Sequence, residues 1–176
     1  MTIDLKDPIG RFIYTEKFTP HQREGYIATL EDYPKRLSEA VRGLSDEQLD
    51  QSYRDGGWTI RQLVHHIADA NGHFNYRFRY AMTEEHPQIK AFNENKWAEL
   101  EDAKHAPVES SLVLLRGIHA RWILLLRSLK EEDFRREFIH PVYGQMPLDR
   151  ALGMYSWHSL HHLAQIEGLC AQKGWK

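Results

Sequence analysis

Tyr155-Ser-Trp-His-Ser-Leu-His-His-Leu-Ala-Gln165 places His158 and His162 four residues apart in a stretch with helical spacing. On an α-helix, positions i and i+4 share one face, about 6 Å apart along the axis. Two imidazoles so placed can converge on one metal ion, as the histidines of H-E-x-x-H do. Ser159 stands where that motif has glutamate, so this is a different site. A second cluster lies upstream in Gly56-Gly-Trp-Thr-Ile-Arg-Gln-Leu-Val-His-His-Ile-Ala-Asp69. Six of the 11 histidines fall within windows 65–73 and 158–162, where a random scatter would put about one. A lone helical histidine is ordinarily a packed or solvated residue. A pair at i, i+4 joined by a third from another helix reads as a ligand set.

Outward from these stretches, the chain reads as amphipathic helices. Residues 1–19 lack sustained periodicity and are expected to wrap the body as coil. A helix is expected from Thr19 or Pro20 to about Gly43, with Tyr26, Ile27, Leu30, Tyr33, Leu37 and Val41 at spacings of three and four, and with Pro34 kinking or splitting it. Ser45 caps a short turn of helix. Thr59 caps a long helix to about Met82, whose apolar stripe runs from Ile60 through Leu63, Ile67, Ala70 and Phe74 to Phe78 and Ala81. Asn93 heads a short helix through Lys104, and Pro107 precedes a third long helix over 108–130. Residues 131–146 are irregular, with a tight turn or brief hairpin at Tyr143–Pro147. The last helix runs from Pro147 or Leu148 to Lys173 and ends at Gly174. Four long amphipathic helices predict an all-α, four-helix bundle, with 1–176 as a single domain.

Composition excludes several classes. Lys+Arg of 23 against Asp+Glu of 25 leaves a formal charge of −2, which speaks against a general nucleic-acid or membrane-surface binder. The N-terminal residues lack the basic and apolar regions of a signal peptide, and apolar runs such as Trp122–Leu126 are too short to span a bilayer. The single cysteine, Cys170, suits a reducing compartment and sits among apolar neighbours as a buried thiol. The expectation is a cytoplasmic protein.

Helical geometry separates His65 from His66. At about 100° per residue, the apolar stripe of helix 59–82 centres about 90° from His66, and His65 lies roughly 100° further round, on an outward face with Arg61. His66 therefore looks into the bundle, in line with His73 and Arg77. The same wheel puts His158 and His162 on an inward face with Ala151, Tyr155 and Leu169, and His161 on the flank. Three neutral imidazoles from two helices would leave a position open for water or substrate, as catalytic zinc sites do. One divalent ion per subunit is expected; zinc is the first choice, and nickel also suits imidazole.

At these residues the sequence resembles the DinB/YfiT-like metalloenzyme family, and within it the YfiT-like metal-dependent hydrolases. The resemblance is carried by Tyr53–Asp69, by Leu152-Gly-Met-Tyr-Ser-Trp-His-Ser-Leu-His-His-Leu-Ala164 and by Arg121-Trp122. It runs from Pro8-Ile-Gly10 to Gly174-Trp175. It implies a four-helix bundle of unusual connectivity, frequent homodimerisation and a metal on a His eight residues after the Trp-Thr tryptophan plus a His-x3-His pair. Those positions are His66, His158 and His162, in agreement with the wheel. A further histidine common near position 166 in the family is Ile166 here; it is not a ligand in the family's pattern.

Three functions compete. The first is a metal-dependent hydrolase acting on a small molecule through activated water, and this is the activity the resemblance implies. The second, implied by other members of the superfamily, is a metal-dependent transferase for a low-molecular-weight thiol such as bacillithiol. A pocket carrying Arg77 and Arg121 would favour that anionic cosubstrate, although both arginines read more simply as solvated helix faces. The third is a non-catalytic metal-binding bundle closed by a fourth protein ligand, for which Asp69 is the candidate; that residue could instead orient an imidazole. A di-iron bundle is not expected, because such sites take a Glu-x-x-His from each of two helices, and the single Glu-x-x-His here, Glu137 to His140, lies in the irregular 131–146 stretch. The catalytic acid or base is unknown at this level.

Overall fold

A computed structural model describes residues 4–14 and 17–176 of the chain. Residues 1–3 and 15–16, part of the expected N-terminal coil, lie outside the described residues. The elements in order are α1 (Pro20–Val41), α2 (Asp46–Leu49), α3 (Ile60–Thr83), α4 (Glu94–Ala98), α5 (Glu101–His105), α6 (Val108–Ser128), a 3-10 turn (Asp133–Arg135), β1 (Glu137–His140), β2 (Gly144–Pro147) and α7 (Leu148–Lys173). The helix starts follow local chemistry. Thr19, Ser45 and Thr59 each accept from the backbone N–H of Gln22, Gln48 and Gln62, and each glutamine side chain returns to the cap's own N–H. These reciprocal bonds satisfy donors that a helix start leaves free. At the other end of α7, Gly174 takes φ 67°, the left-handed stop that glycine permits.

The four long helices α1, α3, α6 and α7 form a bundle in which α1 packs on α6 and α7, and α3 packs on the same two. Going round the bundle, the order is therefore α1, α6, α3, α7. Consecutive long helices α1 and α3 stand diagonally, as do α6 and α7, so two of the three connections cross an end of the bundle. No helix among the described residues is long and apolar enough to cross a membrane.

The core falls into two clusters stacked along the bundle. Leu30, Phe74, Phe78, Trp122, Leu148 and Tyr155 belong to one. Leu37, Leu63, Ile67, Leu115, Leu163 and Leu169 belong to the other. Each buried side chain of this kind contributes roughly 1.5–3 kcal/mol relative to exposure. All four helices change cluster at the same level: between Leu30 and Tyr33, Ile67 and Ala70, Leu115 and Trp122, Tyr155 and Leu163. Polar groups occupy that level. His158 and His162 stand there on α7, and His119 stands there on α6.

Helix α1 runs unbroken through Pro34, so the split expected there does not occur. Proline has no N–H to donate, which frees the carbonyl of Leu30 four residues back. His119 Nδ1 donates to that carbonyl at 2.6 Å, and its Nε2 pairs with the Asn71 side-chain amide at 3.1 Å. A tertiary hydrogen bond thus replaces the lost helical one.

The segment expected as one helix from Asn93 to Lys104 is two short helices broken at Glu99-Leu100. Buried Ala98 and Ala103 are five residues apart, about 140° round a continuous helix; the break lets both turn inward. The hairpin β1–β2 is antiparallel, with Phe138 opposite Met146 and His140 opposite Gly144. Residues 87–89 run alongside β1, with Ile139 N–H donating to Pro87 and Ile89 N–H to Ile139. This brings Phe92 and His140 to the side of the bundle where the histidines lie.

Candidate metal centre

His66 projects from α3, and His158 and His162 from α7. Their ligand-capable nitrogens all lie within 4.8 Å of one another. His66 Nε2 is 3.4 Å from His158 Nε2, and His162 Nε2 is 3.2 Å from the same atom. Two of the three rings are backed by aromatic side chains. Trp58 lies 4.7 Å from His66, and Phe74 meets His158 edge-on at 5.3 Å.

The orientation of His162 is set by Gln165, one turn on along α7. The side-chain amide of Gln165 donates to the Leu5 carbonyl at 3.1 Å, which leaves its Oε1 to accept from His162 Nδ1 at 2.8 Å. With the proton on Nδ1, His162 presents a lone pair at Nε2. Burial lowers all three imidazoles: His162 to about 4, and His66 and His158 well below the ordinary histidine value. The site is therefore three uncharged imidazoles facing one point. That is the donor set of a divalent ion that favours nitrogen. His158 Nδ1 is buried without a hydrogen-bond partner among the described residues.

The neighbouring histidines separate cleanly. His65 lies on the far side of α3 from the cluster, as the wheel predicts, but that face is not open to water. The link from α5 into α6 covers it, and His65 is only 7% exposed. Its Nε2 donates to the Ala106 carbonyl at 3.1 Å, and its Nδ1 pairs with the Ser111 hydroxyl at 2.7 Å. Arg61 beside it is buried too, tied to Asp46 and Asp50 at 2.7 Å each. His161 contacts the Gln165 amide at 3.0 Å. His73 stacks on Phe92, with centroids 4.4 Å apart.

Asp69 does not join the cluster. The closed-site reading thereby loses its candidate fourth ligand; burial, helped by the charge of Asp102, pushes the Asp69 carboxyl up to about 6. Arg121 is exposed, as expected of a solvated face, whereas Arg77 is buried and is not solvated.

The three histidines open on a cavity of about 410 Å³ whose wall also carries Trp58, Phe74, Arg77, Phe92 and His140. Sequence reasoning did not single out Gln165, Phe92 or His140. Gln165 had a signal, since it is three residues from His162 and so shares its face. His140 and Phe92 had none, because loop and hairpin connections carry them to the site.

The sequence model of the DinB superfamily matches residues 29–166. A Bacillus cereus protein named "Putative metal-dependent hydrolase" is 45% identical over 172 residues, 98% of this chain and 99% of the relative. The Bacillus subtilis protein named "Putative metal-dependent hydrolase YfiT" is 43% identical over 175 residues, 99% of this chain and 98% of its own length. The solved structure of YfiT, described as "a probable metal-dependent hydrolase with an unusual four-helix bundle topology", superposes with a TM-score of 0.95 over 99% of this chain and all of that one. A second four-helix bundle protein, TT2238, matches at a TM-score of 0.55 and 20% identity over 80% of this chain and 94% of its own, a likeness of fold alone.

Proposed function

This chain belongs to the DinB superfamily, and we propose that it is a metal-dependent hydrolase of a small-molecule substrate, its ion held by His66, His158 and His162. The observation that carries the reading is the Nε2 spacing. Zinc bonds imidazole nitrogen at roughly 2.0–2.1 Å, so two ligands on a tetrahedron stand about 3.3–3.4 Å apart. The two separations that meet at His158, 3.2 and 3.4 Å, suit that geometry, and all three ligand atoms lie within 4.8 Å of one another. Zinc is our first choice for three imidazoles with an open position, and nickel is the alternative that the same donors suit.

A divalent ion with three protein ligands keeps a position for water or substrate and supplies Lewis acidity that lowers the pKa of water to near 7. The chain's part is to hold three unprotonated imidazoles, to fix the His162 tautomer through Gln165, and to wall the cavity with aromatic faces that limit water. The curated relatives' names point the same way.

The test is to load metal-free protein with zinc, measure stoichiometry, and assay a panel of carboxylic and phosphoric esters and amides with and without small thiols. We expect about one ion per chain and hydrolysis that disappears on chelation and returns with zinc. Product formed only with thiol would replace hydrolysis by thiol transfer. Metal uptake without turnover would leave a binding bundle, and no uptake would end the metalloenzyme reading.

A further inference from the structure

Arg77 projects from α3 into the wall of the histidine cavity and is only 6% exposed. Buried guanidinium groups are normally paired with carboxylates, because an unpaired charge out of water is costly. The other buried arginines obey this rule: Arg23 pairs with Asp149 and Glu131, and Arg61 with Asp46 and Asp50. Among the described residues no carboxylate pairs with Arg77. Its Nη1 donates to the Tyr155 hydroxyl at 3.2 Å, and it lies 5.7 Å over the Phe74 ring. Its Nε has no hydrogen-bond partner among the described residues. Burial raises the Tyr155 phenol above its ordinary value, so that partner brings no negative charge. Glu94, the carboxylate in the cavity lining, is exposed and makes no ion pair with Arg77.

A second group stands ready beside it. His140, at the end of β1, lines the same cavity. Its Nδ1 accepts from the backbone N–H groups of Val142 at 3.1 Å and Tyr143 at 3.3 Å. A ring whose Nδ1 accepts must carry its proton on Nε2. The hairpin turn thus fixes His140 as a donor, and burial together with Arg77 keeps it uncharged.

We propose that Arg77 and His140 form an anion subsite, and that the substrate is a small acid whose carboxylate rests on them. Its apolar body lies against Phe74 and Phe92, and its scissile ester or amide faces His66, His158 and His162. The position of the scissile bond rests on the hydrolase reading. The anion subsite does not.

Benzoate and its uncharged counterpart benzamide, titrated into metal-free and zinc-loaded protein at pH 7.5 by NMR, test this. We expect metal-free protein to bind benzoate at least tenfold more tightly than benzamide. Arg77→Met should abolish that preference while leaving the urea midpoint of the metal-free protein unchanged or higher, because it removes an uncompensated buried charge. His140→Asn keeps an oxygen to accept from the turn amides but deletes the distal donor, and should weaken benzoate several-fold with the fold intact. If metal-free wild type binds both probes equally, the subsite is overturned whatever the variants do. It is overturned equally if Arg77→Met keeps the benzoate preference. Benzoate binding only after zinc loading would sink the subsite and leave the metal centre standing. Benzoate preference in a chain that takes up no metal would do the reverse.

Discussion

His162 and Gln165 are joined by a 2.8 Å hydrogen bond from the imidazole Nδ1 to the amide Oε1. Its direction is set by the other end of the amide, which donates to the carbonyl of Leu5. One glutamine therefore connects the N-terminal segment to the tautomer of a candidate ligand. Groups that orient a metal-bound histidine typically govern affinity by about 10–100-fold. Gln165→Leu, close in size but unable to accept, should weaken zinc binding within that range in a competition titration with a chromogenic chelator. Unchanged affinity would mean that packing alone orients the ring.

The two adjacent histidines of α3 should separate by property. His66→Ala removes one of three ligands and should abolish tight zinc binding. His65→Ala should leave affinity within about threefold, yet it removes the partner of the Ser111 hydroxyl and leaves the Ala106 carbonyl with Arg61 as its donor. Losing hydrogen bonds at such half-buried groups costs about 0.5–1.5 kcal/mol each, which chemical denaturation of the two variants would measure.

Stability of the metal-free protein should fall as pH drops from 7.5 to 5. Burial depresses His119 and His162 to about 4 and takes His66 and His158 well below the ordinary value. Below about 6.5 the unfolded chain binds protons that the folded chain refuses. The stability these groups confer is thus complete above that pH and is lost toward their folded values. Asp69 opposes them. Its carboxyl, pushed up to about 6, favours the folded state at low pH and loses that contribution as pH rises through 6. Urea midpoints should therefore be lower at pH 5 than at 7.5. Asp69→Asn should raise the midpoint at pH 7.5 and change it less at pH 5.

A methyl group at position 153 should loosen the N-terminal segment without touching the metal ligands. An added Cβ on Gly153 would lie 2.6 Å from the Phe18 ring, and Phe18 is buried with its N–H bonded to Asp149 at 2.9 Å. Overpacking of this kind costs about 1–3 kcal/mol. Gly153→Ala should lower the melting temperature and speed proteolysis near the N-terminus. Zinc stoichiometry should stay at that of wild type.

Much of the molecule was legible because its signals are local. Capping at Thr19, Ser45 and Thr59, the stop at Gly174 and the stripe of α3 depend on residues a turn or less apart. Helical period alone distinguishes His66 from His65 and turns His158 and His162 to one side. The period misled where a helix has more than one covered face. It marks the face of α3 bearing Arg61 and His65 as outward, but cannot know that residues 93–111 return to bury it. Arg77 escaped for a related reason, since its surroundings come from α7, β1 and the 83–92 link as well as its own helix.

By itself, then, the sequence determined the four long helices, their core-facing stripes and the three imidazoles able to share an ion, since backbone hydrogen bonding and side-chain period are properties of neighbours along the chain. Only the tertiary structure decided that α1 and α3 stand diagonally, that His119 rescues the carbonyl Pro34 leaves free, and that Arg77 is buried beside His140 with no carboxylate partner among the described residues. Those facts depend on which surfaces meet across the bundle. That is set by the total apolar area buried and the polar groups satisfied, sums over contacts distant in sequence that no local pattern encodes.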